Sequence, residues 1–160
     1  MKQAEIETVI KEVGEQVASR LRHHHKQAGC VSLGIGFSYA ASETDGRSGF
    51  HQEMRIAPTD QNAEITAAIL SLFRHNWEGQ AIRNVAVYTS RLCPSTGLQL
   101  NFFEPAKTQL KRVKADHVVD TIRDRFGFTR LVYANSLQKG GTAIDRALLV
   151  GGHNGGNAYE

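Results

Sequence analysis

VSLGIGFSY, residues 31–39, reads as a half-buried strand of unusual make-up. Val31, Leu33, Ile35 and Phe37 alternate with Ser32, Gly34, Gly36 and Ser38, the period of two of a pleated strand with one face in a core. The second face carries only glycine and serine, and a face without bulky side chains lets another backbone come close. A sheet with one covered face and one bare face is therefore expected around this segment.

The flanking sequence supplies the covering elements. Upstream, Ile6, Val9, Ile10, Val13, Val17 and Leu21 draw a single apolar stripe at helical spacing, with Gly29 as a stop. Downstream, SETDGRSG (42–49) is a turn-rich connection to a second strand, FHQEMRIA (50–57), ended by Pro58. Thr59 or Asp60 is placed to cap a helix whose Ile65, Ala68, Ile69, Leu72, Phe73 and Trp77 share one side. AIRNVAVYTSRL (81–92) reads as a third strand and LQLNFF (98–103) as a short fourth, joined through Pro94, Ser95, Thr96 and Gly97. A third helix is expected from about Gln109 to Phe126, with Val113, Val118, Ile122 and Phe126 facing the core and Gly127 as its stop. TRLVYA (129–134) reads as one more short strand. The order α-β-β-α-β-β-α-β predicts an α+β fold, a mostly antiparallel four-stranded sheet with two helices on one face, plus an additional C-terminal helix and strand. Residues 1–134 form the expected domain, and 135–160 a Gly-rich tail, loosely ordered or awaiting a partner.

Composition excludes several classes. The 160 residues suit one domain with a real core, and no apolar run approaches the ~20 residues of a membrane span. The start, MKQAEIETVIKEV, has neither the apolar stretch nor the cleavage site of a signal peptide, which predicts a cytoplasmic protein without membrane attachment. Cys30 and Cys93 belong to no CxxC pair and read as small hydrophobes. The net charge of +3 is unevenly placed: residues 105–146 hold nine Lys or Arg against four Asp, and 20–26 hold Arg20, Arg22, Lys26 and three histidines without an acid. Basic clusters of this kind are compatible with a polyanionic partner.

No catalytic constellation assembles. The G-x-G at Gly34 and Gly36 lacks a third glycine and a following helix, and there is no P-loop. Asp116, Asp120 and Asp124 form an i, i+4 ladder that reads as a solvated face beside Arg123 and Arg125. His23, His24 and His25 are consecutive, so their rings diverge by about 100° per residue and suit a basic helix end better than a metal. Nothing near His153 supports a role for it. No catalytic residue, metal ligand or cofactor is assigned.

Gln99, Leu100, Asn101, Phe102 and Phe103 match the pentapeptide with which bacterial proteins dock on the sliding clamp, a glutamine followed by leucine, a polar residue and two large apolar ones. Leu100 and the phenylalanines would fill apolar subsites while the glutamine amide orients the peptide. The other reading is a plain edge strand with Leu98, Leu100 and Phe102 turned inward.

Taken together, VSLGIGFSY, MRIAPTDQNAEI, AIRNVAVYTSRL, QLNFFE, IRDRFGFTRLVYANSL and the closing TAIDRALLVGGHNGG resemble, in this order, the C-terminal little-finger domain of Y-family translesion DNA polymerases of the ImpB/MucB/SamB group. The resemblance implies a four-stranded sheet backed by two helices, whose open face grips template–primer duplex by its phosphates. On that face it implies Ser32, Gly34, Gly36 and Ser38, His51 and Arg55, and Asn84, Tyr88 and Ser90, if Val85 and Val87 point to the helices. Implied partners are template–primer DNA, the bacterial sliding clamp and the palm, fingers and thumb of a parent polymerase acting in DNA repair and the SOS response. The acidic residues that hold the polymerase's Mg ions belong to the palm, so this chain is expected to be non-catalytic. Ala86 and Phe102 depart from the family's usual glycine and leucine. Two alternatives are weighed: a stand-alone α+β interaction or oligomerisation domain in which LQLNFF pairs with a second copy, and a small enzyme using Asp45, His51 or His153.

Overall fold

The computed structural model describes residues 2–98 and 100–149. Helix α1 (Gln3–His23) leads into strand β1 (Lys26–Phe37), a short helix α2 (Tyr39–Asp45), strand β2 (Gly49–Thr59), helix α3 (Asn62–Asn76) and strand β3 (Ile82–Pro94). The three strands form an antiparallel sheet in the order β2-β1-β3, with the decisive strand in the middle. Helices α1 and α3 pack on one face of it and on each other. Their stripes, Ile6, Ile10, Ala18 and Leu21 from α1 and Ile65, Ile69, Leu70 and Phe73 from α3, close over Val31, Leu33, Ile35 and Phe37. Each such side chain taken fully out of water contributes about 1.5–3 kcal/mol. The helices approach closely at Gly14, where a Cβ would stand 3.1 Å from Thr66 Cγ2 and 3.2 Å from Ile69 Cδ1.

Three expectations about strands are corrected. Pro58 does not end β2, which continues to Thr59 through a register shift between Ala28↔Thr59 and Cys30↔Arg55; β2 is an edge strand, where a missing N–H is tolerated. Among the described residues of 98–103 there is no fourth strand: Leu98 and Leu100–Phe103 are irregular. TRLVYA is not a strand either. Phe128–Arg130 is a 3-10 turn, because Arg123 donates from Nε to the Leu131 carbonyl at 2.8 Å and stacks on the Phe128 and Tyr133 rings at 4.3 and 5.2 Å, curling the segment back on the preceding helix. The connection at 42–49 is half helical, with the Ser38 hydroxyl accepting from Ala41 N to cap α2.

Helix α4 (Ala106–Phe126) departs furthest from its reading. Val118 is 47% exposed and Phe126 59%, so neither is core. The helix is held by charge instead. Asp120 takes a two-pronged ion pair from Arg22 (Nε to Oδ2 2.5 Å, Nη2 to Oδ1 2.9 Å) and a hydrogen bond from Ser19 Oγ at 2.9 Å. Asp116 Oδ2 lies 3.6 Å from Arg22 Nη1 and accepts from Asn62 N at 3.0 Å, capping α3. Two rungs of the aspartate ladder, Asp116 buried and Asp120 half-buried, are thus anchors rather than a solvated face.

Residues 135–149 are docked on α1 rather than loose. A 3-10 turn (Ala134–Leu137) and helix α5 (Ala143–Ala147) bring Thr142 to Glu12, whose Oε2 accepts from Thr142 N at 2.9 Å and Oγ1 at 3.1 Å, with Arg146 at 3.5 Å. The remainder of the Gly-rich segment, with His153, lies outside the described residues. No helix of the described residues is long and apolar enough to cross a membrane.

Candidate functional site

Antiparallel partners point to the same side of a sheet, so the register assigns every side chain to a face. Leu33 pairs with Gln52 and Val87, and Ile35 with Phe50 and Val85, which places Val85 and Val87 on the helix side. The opposite face, which α1 and α3 leave uncovered, gathers Ser32 with Glu53 and Tyr88, Gly34 with His51 and Ala86, and Gly36 with Gly49 and Asn84. Arg55 and Ser90 pair with Cys30 one step further along. Eight of the nine expected face residues therefore share one surface. The ninth, Ser38, lies beyond β1 at the α2 cap, its N–H donated to the Ala81 carbonyl at 2.8 Å.

The centre of this face is a shallow groove floored by Gly34 and Gly36 and walled by His51, Asn84, Ala86 and Tyr88. The His51 and Tyr88 rings stand 6.3 Å apart, and Tyr88 is 57% exposed. A Cβ on Gly34 would meet only ordinary contacts, Ala86 Cβ and His51 Cδ2 both at 3.7 Å, so the fold does not require glycine there. Glu53 was absent from the expected contacts although it shares the strand parity of His51 and Arg55; it puts one carboxylate on the face. Arg83, also unanticipated, donates from Nη1 to the Tyr39 hydroxyl at 2.8 Å and lies over that ring, next to Asn84.

The second expected site is a loop on the same body. Leu98, Leu100, Phe102 and Phe103 line a shallow recess with Gln27, Ala57 and Pro58, and Phe102 and Phe103 are 101% and 97% exposed. Asn101 Oδ1 accepts from Phe103 N at 3.0 Å and Glu104 N at 3.1 Å, a side-chain-closed turn that pushes both rings outward. Gln99 lies outside the described residues.

Among the described residues no three His, Cys, Asp or Glu side chains converge to hold a metal ion. Among the described residues, the neighbouring carboxylates Asp116 and Asp120 are engaged by Arg22.

Comparison with known proteins matches residues 1–102 to the impB/mucB/samB family C-terminal domain. UvrX of Bacillus subtilis (strain 168), named as a UV-damage repair protein, is 38% identical over 150 residues, which is 93% of this chain and 35% of that protein. A DNA polymerase IV 2 of the same organism is 32% identical over 150 residues, 93% of this chain and 35% of its own. A DNA polymerase IV 2 of Halalkalibacterium halodurans is 31% identical over 154 residues, with 96% and 36% covered. The chain thus spans about a third of the length of these relatives. No solved structure matches it significantly.

Proposed function

The chain belongs to the impB/mucB/samB family of C-terminal domains, and from that membership we propose that it is a non-catalytic DNA-binding and clamp-docking module of a Y-family translesion polymerase. In this reading it acts in the cytoplasm, in repair of damaged DNA, beside the palm, fingers and thumb that carry the Mg-dependent chemistry. The observation that carries the proposal is the uncovered face: a glycine floor where the fold leaves room for a side chain at Gly34, walled by His51, Tyr88 and Asn84, with Arg55 along the strand. Backbone N–H groups beside small residues, with Arg, Ser and Tyr side chains around them, suit contact with phosphates. Such contacts position a duplex without reading its sequence. The exposed leucine and phenylalanine side chains of residues 98–103 support clamp docking through apolar subsites.

Fluorescence anisotropy of labelled primer–template DNA tests the grip. Binding is expected to be indifferent to sequence and to weaken steeply between about 50 and about 200 mM salt. Arg55→Glu should weaken it, Gly34→Ala should weaken it without lowering the melting temperature, and Glu53→Gln should strengthen it. Failure to bind at low salt, or a dimer indifferent to DNA and salt, would overturn the reading in favour of a protein-interaction domain.

A further inference from the structure

Two phenylalanine rings held almost wholly in water beside an ordered backbone need an explanation, and the explanation is one buried side chain. Gln109, in the first turn of α4, is 4% exposed, and its amide is spent entirely on the preceding loop. Oε1 accepts from Asn101 N at 2.8 Å, and Nε2 donates to the carbonyls of Asn101 at 2.9 Å and Glu104 at 2.8 Å. An ion pair between Arg112 and Glu104 holds the same turn from the next turn of the helix. With the Asn101 carboxamide closing the turn from inside, both ends of residues 101–104 are clipped to α4, and Phe102 and Phe103 lie between the clips. Hydrophobic collapse alone would bury these rings against Leu98 and Leu100, in the recess whose rim Phe102 and Phe103 share.

We propose that Gln109 is a positioning residue for clamp docking: it pre-forms the 101–104 turn, so that the diphenylalanine is presented in its binding conformation. The inference rests on the clamp reading above. Its physical content is preorganisation. Ordering a four-residue loop before the encounter removes that entropy from the binding step. The turn is partly ordered without Gln109, through Asn101, so only a fraction is recovered.

The test measures binding of a purified bacterial sliding clamp to the protein by calorimetry. Gln109→Glu keeps the size and one acceptor but cannot donate to the Asn101 and Glu104 carbonyls, and Gln109→Ala removes the whole clip. Both are expected to weaken clamp binding by about 5- to 50-fold and to speed amide exchange at Asn101, Phe103 and Glu104, with β1 exchange unchanged. The Phe102→Ala, Phe103→Ala double variant should lose binding altogether without changing exchange at Asn101. Wild-type affinity in both Gln109 variants, with loss in the phenylalanine variant, would sink the positioning role and leave clamp docking standing. Retention of binding by the phenylalanine variant would remove clamp docking itself, and the positioning role with it.

Discussion

Glu15 is a residue whose chemistry is strongly altered by its surroundings. It faces the seam where the C-terminal residues meet α1, beside Glu12, Arg123, Tyr133 and Arg146. Burial pushes its carboxyl up to about 7; Arg123 opposes the shift, and Glu12 and Asp116 add to it. A carboxyl raised on folding is neutral to stability below about pH 4.5, where both folded and unfolded chains carry the proton. Its ionisation then opposes folding increasingly as pH rises from there to about 7, and by a constant amount above. Glu15→Gln removes that ionisation. It is expected to raise the melting temperature at about pH 8 and to leave it unchanged at about pH 4. An equal shift at both pH values in scanning calorimetry would point to packing instead of charge.

At the scale of elements, α4 is joined to the domain through the Arg22 cluster more than through an apolar stripe. Arg22 Nη1 also donates to the Asp60 carbonyl at 2.8 Å and to Asn62 Oδ1 at 2.9 Å, so one guanidinium ties α1, α4 and the start of α3. Removing one member of a buried pair leaves the other charge uncompensated, so Arg22→Met should destabilise the protein by about 3–5 kcal/mol in urea unfolding. The double variant Arg22→Met, Asp120→Leu should recover part of that loss, because one of the two stranded carboxylates is gone while Asp116 remains. A double variant no more stable than the single one would show that Asp120 is not the group left stranded. The aspartate spacing of this helix is plain in the sequence, but an i, i+4 ladder looks the same whether water or an arginine ninety-eight positions away in the chain faces it.

At the scale of the whole molecule, the proposed DNA face and the proposed docking loop draw on different side chains of one body. The face uses the uncovered side of the sheet, and the loop stands between β3 and α4. Replacing Leu100, Phe102 and Phe103 by alanine is expected to abolish clamp binding while leaving the melting temperature nearly unchanged and the DNA affinity within about twofold of wild type, as for surface changes of under ~0.5 kcal/mol. Joint loss of DNA and clamp binding would mean that these side chains support the fold.

What the sequence determined by itself is whatever repeats with the period of a backbone. The alternation of β1, the helical spacing of α3 and half of the α1 stripe (Ile6, Ile10 and Leu21, but not Val9, Val13 or Val17) name the core, because burying one face is a local pattern. Alternation read with the family resemblance assigns Ser32, Gly34, Gly36, Ser38, His51, Arg55, Asn84, Tyr88 and Ser90 to a single face, and the strand register puts all of them but Ser38 there. What only the tertiary structure decided is whatever depends on a partner distant in the chain: Arg22 against Asp116 and Asp120, Arg123 curling residues 128–133 out of a strand, and Glu12 holding Thr142. It also decided that the described residues of 98–103 join no sheet, since the carboxamides of Asn101 and Gln109 take up the loop's backbone groups that a strand ladder would have used. Hydrogen bonds and ion pairs are made between particular atoms in space, and no periodicity along the chain records them.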